Sequence, residues 1–250
     1  MTAALVTGGA RRIGAAIVRA LDAADYRLAI HCRTKDAEAE TLARACRKAV
    51  IITGDLTSGE APARIMKEAG TAIGPLTLLV NNAAMFEDDT FGSLSTEQFD
   101  RQFAVNLRAP LLLMEAFARQ VPEGSTGAIV NLIDQRVLKP TPDHLTYSLS
   151  KAALWHATRM AAQALAPAIR VNAVAPGPVL PNHTDGLEVF TREVAALPLT
   201  RAVPPEAIAE AVVYLARASA ITGQMIAVDS GQHIGWRTPD VLAVEAGKKS

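Results

Sequence analysis

Short apolar runs alternate with longer segments of helical periodicity along the whole chain, and this pattern constrains the fold more than any other feature. The apolar runs are AALV, RLAIHC, AVIIT, LTLLV, GAIVNLI, IRVNAVA and MIAVD. Helical periodicity covers 12–24, 37–47, 60–72, 97–120, 146–166 and 206–218, and a less regular stretch covers 183–199. Near-continuous apolar strands are typical of a parallel sheet covered by helices on both faces. The sequence therefore predicts an α/β fold: a single domain over 1–250 with a doubly wound parallel sheet of about seven strands.

The balance of charges argues against a polyanionic partner. The 250 residues contain 25 Lys plus Arg and 25 Asp plus Glu, so no overall field attracts nucleic acid or an anionic membrane. No apolar run reaches the roughly 18 residues that a membrane helix needs, and the N-terminus does not resemble a targeting peptide. The two cysteines and five histidines show no metal-ligand spacing. These features predict a cytoplasmic protein without a metal, acting on a small molecule.

The first predicted strand leads directly into the glycine turn TGGARRIG, residues 7–14. Glycines let the backbone turn sharply and approach a pyrophosphate, which then lies at the positive N-terminus of the next helix. Arg12 stands where this pattern has its middle glycine, and a cation there is either a solvated helix start or an anion ligand. We favour the second interpretation, in which Arg12 binds an anion, because a cation at a helix N-terminus is unfavourable unless an anion compensates its charge. The turn thus predicts a Rossmann-type dinucleotide site with the residues Gly8, Arg11, Arg12, Ile13 and Gly14.

The end of the second predicted strand, HCRT, distinguishes between two dinucleotides. An NAD-specific site presents an acidic residue to the adenosine ribose, whereas Arg33 and Thr34 stand here. An arginine with a hydroxyl suits a ribose 2′-phosphate, and a solvated loop arginine is the plain alternative. The sequence therefore predicts NADP(H). After the third strand, Asp55 and Leu56 are placed to meet the adenine, although Asp55 is almost equally well explained as a turn cap.

Tyr147 and Lys151 are candidates for proton transfer. In a helix beginning near Thr146 they lie on one face, about 6 Å apart along the axis. An ammonium group at that spacing would stabilise a tyrosinate and lower the pKa of the tyrosine from about 10. The pair alone also fits a core tyrosine beside a surface lysine.

Five motifs in order give the chain its resemblance to the short-chain dehydrogenase/reductases. They are TGGARRIG, NNAA at 81–84, Asn106 in FAVN, YSLSK at 147–151 and APGPV at 175–179. The resemblance implies that Tyr147 is the general acid/base, that Lys151 lowers its pKa and holds the nicotinamide ribose, and that Asn106 supports a proton relay through water. It also implies a homotetramer or homodimer. The further cofactor contacts that it implies are Asn82, Ala83, Pro176, Gly177 and Val179.

Three departures from the common pattern resemble the pteridine reductases and their bacterial dihydromonapterin and dihydrofolate reductase relatives. These are Arg12, the strand end HCRT, and Asp134 in place of serine. The resemblance implies that Arg12 touches both cofactor phosphate and pterin, that Asp134 and Tyr147 act on the pterin ring, and that Phe86 stacks on it opposite the nicotinamide. Ala84 departs from this group, because it stands where serine is common and offers no side-chain hydrogen bond.

The chemistry of Asp134 leads to the same substrate. A serine hydroxyl suits a ketone oxygen, whereas an aspartate suits a substrate rich in donors. The plain alternative is that Asp134 is a turn or cap residue. A pterin presents ring N–H and amino groups, and reduction of its C=N bond requires hydride from NADPH and a proton at nitrogen. The sequence therefore predicts a pteridine reductase that binds the pterin through Arg12, Phe86, Asp134 and Tyr147.

Two alternatives remain open at this stage. One is an NADP-dependent carbonyl or alcohol oxidoreductase, acting on a 3-oxoacyl or sugar-type carbonyl, in which Asp134 only orients the substrate. The other is a non-catalytic NADP-sensing protein, which the intact set of Asn106, Tyr147 and Lys151 disfavours. The proline-rich stretch 176–186 follows a predicted strand and is expected to be a loop near the ligand.

Overall fold

The computed structural model describes residues 2–181, 186–237 and 241. Its strands are β1 (Ala3–Val6), β2 (Arg27–Cys32), β3 (Ala49–Thr53), β4 (Leu78–Asn81), β5 (Gly127–Leu132), β6 (Ile169–Pro176) and β7 (Met225–Val228). They form one parallel sheet of seven strands in the order β3-β2-β1-β4-β5-β6-β7. The predicted doubly wound sheet is confirmed, and the reversal of strand order between β1 and β4 is where such sheets bind ligands.

Helices cover both faces of this sheet. In the described ranges they are α1 (Arg12–Ala23), α2 (Ala37–Ala45), α3 (Ala61–Ile73), α4 (Thr96–Phe103), α5 (Ala109–Gln120), α6 (Leu145–Ala164), α7 (Gly186–Ala196) and α8 (Pro205–Arg217). One core lies under α1, α2 and α8, and the other lies under α3, α5 and the end of α6. No helix in the described part of the chain has the length and apolarity needed to cross a membrane.

The two cores explain why the strands are apolar at almost every position. Successive side chains of a strand point to opposite faces. In β1, Ala4 and Val6 enter the core under α1 and α8, whereas Ala3 and Leu5 enter the core under α3 and α5. A strand that is buried on both faces has no polar side, so its sequence shows a continuous apolar run instead of an alternation.

The predicted helix 97–120 is divided by a wider turn. A π-helical segment, Ala104–Arg108, separates α4 from α5, and Ala109 N–H bonds the Ala104 carbonyl five residues earlier. Pro110 follows directly, and a proline ring clashes with the carbonyl four residues before it, which the wider turn avoids. Such π-bulges are frequent at functional sites, and Asn106 lies within this one.

The stretch 183–199, expected to be less regular, contains the helix α7. None of the residues of α7 is buried, so it lies on the surface and is not anchored in either core. Residues 182–185 are outside the described part of the chain. The loop expected over 176–186 is therefore described only at 176–181 and 186.

Candidate active site

A cavity of about 730 Å³ lies beyond the carboxyl ends of β1 to β6. Thr34 and Asn106 are the predicted site residues that do not line it. Those that line it are Gly8, Arg11, Arg12, Ile13, Gly14, Arg33, Asp55, Leu56, Asn82, Ala83, Phe86, Asp134, Tyr147, Lys151, Pro176, Gly177 and Val179. The fold thus brings residues from six separate strand ends into one cleft, as expected for an α/β sheet.

The glycine turn after β1 has no room for side chains. Gly8 has φ +59°, and a Cβ added there would lie 2.9 Å from the Ala83 Cα. A Cβ on Gly14 would lie 2.1 Å from the Gly8 carbonyl oxygen. Asn82 locks the same turn, because its Nδ2 donates to the carbonyls of Thr7 at 2.9 Å and Gly8 at 3.0 Å. A turn of this shape at the start of α1 fits the pyrophosphate of a dinucleotide.

His31 also holds this turn, and sequence reasoning missed it. Its Nδ1 accepts from Gly8 N–H at 3.3 Å, and its Nε2 lies 3.0 Å from the Gly54 carbonyl oxygen, to which it donates. Burial lowers the pKa of His31 below 6.5, and the bond to Gly54 opposes that shift. The neutral ring therefore ties the end of β3 to the turn after β1. Its position in the apolar strand β2 offered no signal of this role.

The two arginines of the turn behave differently. Arg11 forms ion pairs of 2.7 Å with both Asp36 and Glu38, so the charge of its guanidinium is already compensated within the protein. Arg12 occupies the left-handed region at φ +49°, which explains why a glycine is usual there. Its guanidinium donates to the Leu180 carbonyl oxygen at 3.4 Å, and both residues line the cavity. The anion-binding roles of both arginines stay predictions.

Arg33 is exposed at the end of β2 and makes no hydrogen bond or ion pair with any residue in the described ranges. An unpaired guanidinium at this position fits a ribose 2′-phosphate. Asp55 has a local role, because its Oδ1 accepts from the Thr57 N–H at 2.9 Å and from its hydroxyl at 2.8 Å. These bonds, the backbone one foremost, lower the pKa of Asp55. Asp55 therefore caps a turn as well as lining the cavity.

Tyr147, Asp134 and Lys151 meet at the opposite end of the cavity. The Tyr147 hydroxyl donates to Asp134 Oδ2 at 3.0 Å, and Asp134 Oδ1 accepts from the Arg136 N–H at 2.8 Å. Lys151 Nζ donates to the Leu132 carbonyl oxygen at 2.8 Å and lies 5.7 Å from the centre of the Tyr147 ring. Asp134 follows the end of β5 by two residues and Tyr147 lies in the first turn of α6, so the fold itself brings the carboxyl group to the phenol.

Burial shifts the pKa of all three groups. It raises the pKa of Asp134, and burial followed by the charge of Asp134 raises the pKa of Tyr147 well above 10. Burial lowers the pKa of Lys151 to about 8. The net shift of the Tyr147 pKa is upward, because burial and then the neighbouring carboxylate favour the neutral phenol; the part of Lys151 in lowering that pKa stays a prediction. Tyr147 is therefore held protonated, which is the state that a proton donor requires.

Asn106 and Phe86 shape the wall beside Tyr147. Asn106 Oδ1 accepts from the Met85 N–H and its Nδ2 donates to the Met85 carbonyl, both at 2.8 Å. It therefore fixes the segment that presents Phe86, and its role in a proton relay stays a prediction. The Phe86 ring meets the Tyr147 ring edge-on, with centroids 4.7 Å apart, and packs 4.3 Å from the His144 ring. Phe86 remains 42% exposed, which leaves area for a flat ligand.

A family model described as enoyl-(acyl carrier protein) reductase matches residues 8–233 of the chain. The chain belongs to the short-chain dehydrogenase/reductase family. FolM alternative dihydrofolate reductase 1 from Brucella canis, in complex with NADP, is 46% identical, with 96% of this chain and 97% of that chain covered and a TM-score of 0.90. A blue fluorescent protein from a metagenomic library, in complex with NADPH, is 32% identical, with 92% and 97% covered and a TM-score of 0.83. L-xylulose reductase from Bos taurus is 34% identical over 236 residues, which are 91% of this chain and 95% of that protein.

Family membership makes the chain an oxidoreductase, as predicted from the five motifs. The two similar structures contain NADP and NADPH, in agreement with the cofactor predicted from the strand end HCRT. The names of the relatives differ in the substrate, which is a folate derivative in one and a sugar in another. The family therefore establishes the class of reaction and leaves the substrate to the details of the site.

Several cavity residues were not predicted from the sequence. Gln135 and Arg136 directly follow Asp134, and Glu193 and Gln232 approach from α7 and from the turn after β7. The position of Gln135 and Arg136 next to Asp134 was an available signal, because the residues after a strand of this sheet face the ligand. No local pattern marked Glu193, which reaches the site only because α7 folds over the cleft.

Proposed function

We propose that this short-chain dehydrogenase/reductase uses NADPH to reduce a C=N bond of a pteridine, such as a dihydropterin or dihydrofolate. The observation that carries the proposal is the hydrogen bond of 3.0 Å from the Tyr147 hydroxyl to Asp134. A carboxyl group with a raised pKa, joined to a neutral phenol, forms a proton reservoir and an acceptor for ring N–H groups. Both are useful toward a nitrogen heterocycle.

The cleft provides a place for each part of the cofactor. The crowded turn at Gly8 and Gly14 would hold the pyrophosphate, Arg33 the 2′-phosphate, and Lys151 with Tyr147 the nicotinamide ribose. The cofactor, when bound, would supply the hydride. The transfer of the proton would then be the task of Asp134, Tyr147 and Lys151 at the other end of the cleft.

Reduction of the C=N bond requires one proton at the nitrogen atom. As the carbon gains the hydride, the electron pair of the π bond moves to nitrogen, which takes a proton from the pair formed by Tyr147 and Asp134. Lys151, fixed by its bond to Leu132, places a positive charge beside the phenol that loses the proton. Burial of the three groups strengthens these interactions, because the local dielectric constant is low.

Phe86 gives the site a surface for an aromatic ring. It is held from behind by His144 and from one edge by Tyr147, and its exposed area lies in the same cavity as Asp134. A pterin stacked there would present its ring nitrogens to Asp134 and Tyr147. A small aliphatic carbonyl compound would leave most of this aromatic area without contact. FolM from Brucella canis, named as an alternative dihydrofolate reductase, supports the same substrate class.

A carbonyl or alcohol oxidoreductase is the alternative function. It is favoured by the likeness to L-xylulose reductase at 34% identity, and to a ketoacyl reductase from Streptomyces violaceoruber at 29% identity. In this case Asp134 would only orient the substrate. Because the shared fold and the pair of Tyr147 and Lys151 serve both reactions, Asp134 and Phe86 are the residues that distinguish the two.

The protein is also proposed to form a homo-oligomer. Large apolar side chains are exposed on α5 at Leu111 and Leu112, and on α6 at Leu149 and Met160. Both helices lie on the same side of the sheet. Apolar side chains at such a surface suit burial against a second copy of the chain.

A substrate panel tests the proposed reaction directly. Oxidation of NADPH would be followed with dihydrobiopterin, dihydromonapterin and dihydrofolate, and in parallel with L-xylulose and a 3-oxoacyl thioester. We expect turnover with at least one pteridine, and a loss of that activity by about 10-fold or more in Asp134→Ser, because serine cannot act as an anionic acceptor. Turnover of the carbonyl compounds alone, with unchanged or improved rates in Asp134→Ser, would establish the alternative function.

A further inference from the structure

Arg136 is a cation in the cavity that the proposed reaction does not use. It follows Asp134 by two residues, is half-buried and lines the cavity. Its Nε is buried without a hydrogen-bond partner. Its guanidinium forms no hydrogen bond or ion pair with any residue that the structure describes. A buried polar group without a partner is costly, so this side chain fits a partner that arrives with the substrate.

The carboxylates of the cavity are already engaged elsewhere. Asp134 uses one oxygen for the backbone N–H of Arg136 and the other for the Tyr147 hydroxyl. Glu193 accepts from the Gln232 amide at 2.8 Å. Neither of these carboxylates, nor Asp55, forms an ion pair with the Arg136 guanidinium, although its charge acts on Asp134 from a longer distance. The guanidinium therefore has no direct carboxylate partner in the described part of the cavity.

The charge of Arg136 acts at the reacting end of the cleft. Burial raises the pKa of both Asp134 and Tyr147, and the neighbouring charge of Arg136 works against this rise in each case. Arg33 also lines the cavity without an ion pair, but it stands at the end of β2, where the 2′-phosphate is proposed to bind. Arg136 lies next to the groups proposed to act on the substrate, so an anion that it binds would belong to the substrate.

We propose that Arg136 binds a carboxylate on the tail of the substrate, so that the enzyme favours a pteridine with an anionic substituent over one with a neutral side chain. This inference rests on the proposed pteridine reductase function. A guanidinium presents parallel N–H donors that match both oxygens of a carboxylate. The glutamate end of dihydrofolate has this chemistry, whereas the hydroxylated tail of dihydrobiopterin has no charge.

Steady-state kinetics of the intact protein with NADPH test the role of Arg136. We expect Arg136→Gln to lower kcat/KM for dihydrofolate by about 10- to 100-fold, mainly through KM, as for the loss of a charge-assisted pair. For dihydrobiopterin we expect a change of less than about threefold. Arg136→Lys should restore part of the loss. Because glutamine keeps the backbone N–H that holds Asp134, the comparison isolates the side chain.

The ratio of kcat/KM for dihydrofolate to kcat/KM for dihydrobiopterin distinguishes a direct role of Arg136 from indirect effects. Removal of the Arg136 charge also alters Asp134 and Tyr147, but that change affects both substrates alike. Arg44→Gln is the matched control, since Arg44 is exposed on α2, pairs with Glu40 and lies outside the cavity; its ratio of kcat/KM values for the two substrates should equal that of the wild type. Equal losses for both substrates in Arg136→Gln, or no loss for either, would overturn the inference and leave the reductase function standing.

Binding measurements separate this inference from the proposed function. If the wild type oxidises NADPH with neither substrate, the proposed function fails, and calorimetric titration of the NADP⁺ complex with folate and biopterin decides the role of Arg136. Tighter binding of folate in the wild type, lost in Arg136→Gln, supports the anion site. Equal affinities, or no binding of folate, overturn it.

Discussion

The two ends of the cleft are built on different physical principles. At the end where the adenosine half of the cofactor is proposed to bind, here called the adenosine end, Gly8 and Gly14 are packed too closely for any side chain and a neutral His31 holds the turn. At the end formed by Asp134, Tyr147 and Lys151, here called the chemical end, ionisable groups lie together and the pKa of each is shifted. Backbone shape therefore characterises the first end, and the placement of protons characterises the second.

This contrast explains why the two ends depart from the common family pattern in different ways. At the adenosine end the departure is Arg12, which retains the left-handed backbone of the glycine that it replaces. At the chemical end the departure is Asp134, whose carboxyl group accepts a hydrogen bond from the Tyr147 hydroxyl. The first departure concerns backbone conformation, and the second concerns the ionisable groups of the site.

Tyr147→Phe provides the strongest test of this contrast between the two ends, because it removes the phenolic hydroxyl with its proton and keeps the shape of the aromatic ring. We expect kcat to fall by about 10²- to 10⁴-fold, the usual contribution of a positioned acid, while the Kd for NADPH changes by less than about twofold. Turnover assays and fluorescence titration with NADPH measure the two quantities. Tyr214→Phe, at an exposed position on α8, is the control. A loss of NADPH affinity as large as the loss of kcat would show that cofactor binding and proton transfer are not independent. An unchanged kcat would refute the acid role of Tyr147.

Arg33→Asp tests the adenosine end with a smaller expected effect. The unpaired guanidinium should favour the 2′-phosphate, so we expect the preference for NADPH over NADH to fall by about 10- to 100-fold. The value of kcat with saturating cofactor should remain nearly constant, because Arg33 lies at the end of the cleft opposite to Tyr147. Arg19→Asp, at an exposed position of α1, controls for net charge. A preserved cofactor preference would mean that another group reads the 2′-phosphate.

The sequence predicted the sheet well, because burial on both faces leaves a clear apolar signal in each strand. It also identified the residues at the strand ends that line the cleft, since parallel strands bring their carboxyl ends to one edge. It did not predict the direction of the pKa shift of Tyr147, because that depends on burial and on a carboxylate 13 residues away in the chain. It also missed α7, whose residues pack in neither core.

His31 shows most clearly what local pattern leaves out. It lies in an apolar strand, and its two hydrogen-bond partners, Gly8 and Gly54, are each 23 residues away in the chain. Only the assembled sheet brings three strand ends together at this ring. A histidine inside a strand therefore looks like a packing residue in the sequence and is a clamp in the structure.

The smallest expected effect concerns the pH dependence of this clamp. Burial lowers the pKa of His31 below its ordinary value of 6.5, so the unfolded chain takes up a proton at a higher pH than the folded protein. The stabilisation is complete above pH 6.5 and is lost progressively as the pH falls below it. We expect His31→Gln, which does not titrate, to lower the free energy of unfolding by about 0.5–1.5 kcal/mol at pH 8, and the difference from the wild type to shrink in acid.

Urea unfolding between pH 5 and pH 8 measures this difference, and subtraction of the two curves removes the contributions of Asp134 and Lys151, which both proteins share. A constant offset between wild type and His31→Gln would mean that His31 stabilises the turn in either protonation state. The pH dependence of stability would then have to come from groups other than His31.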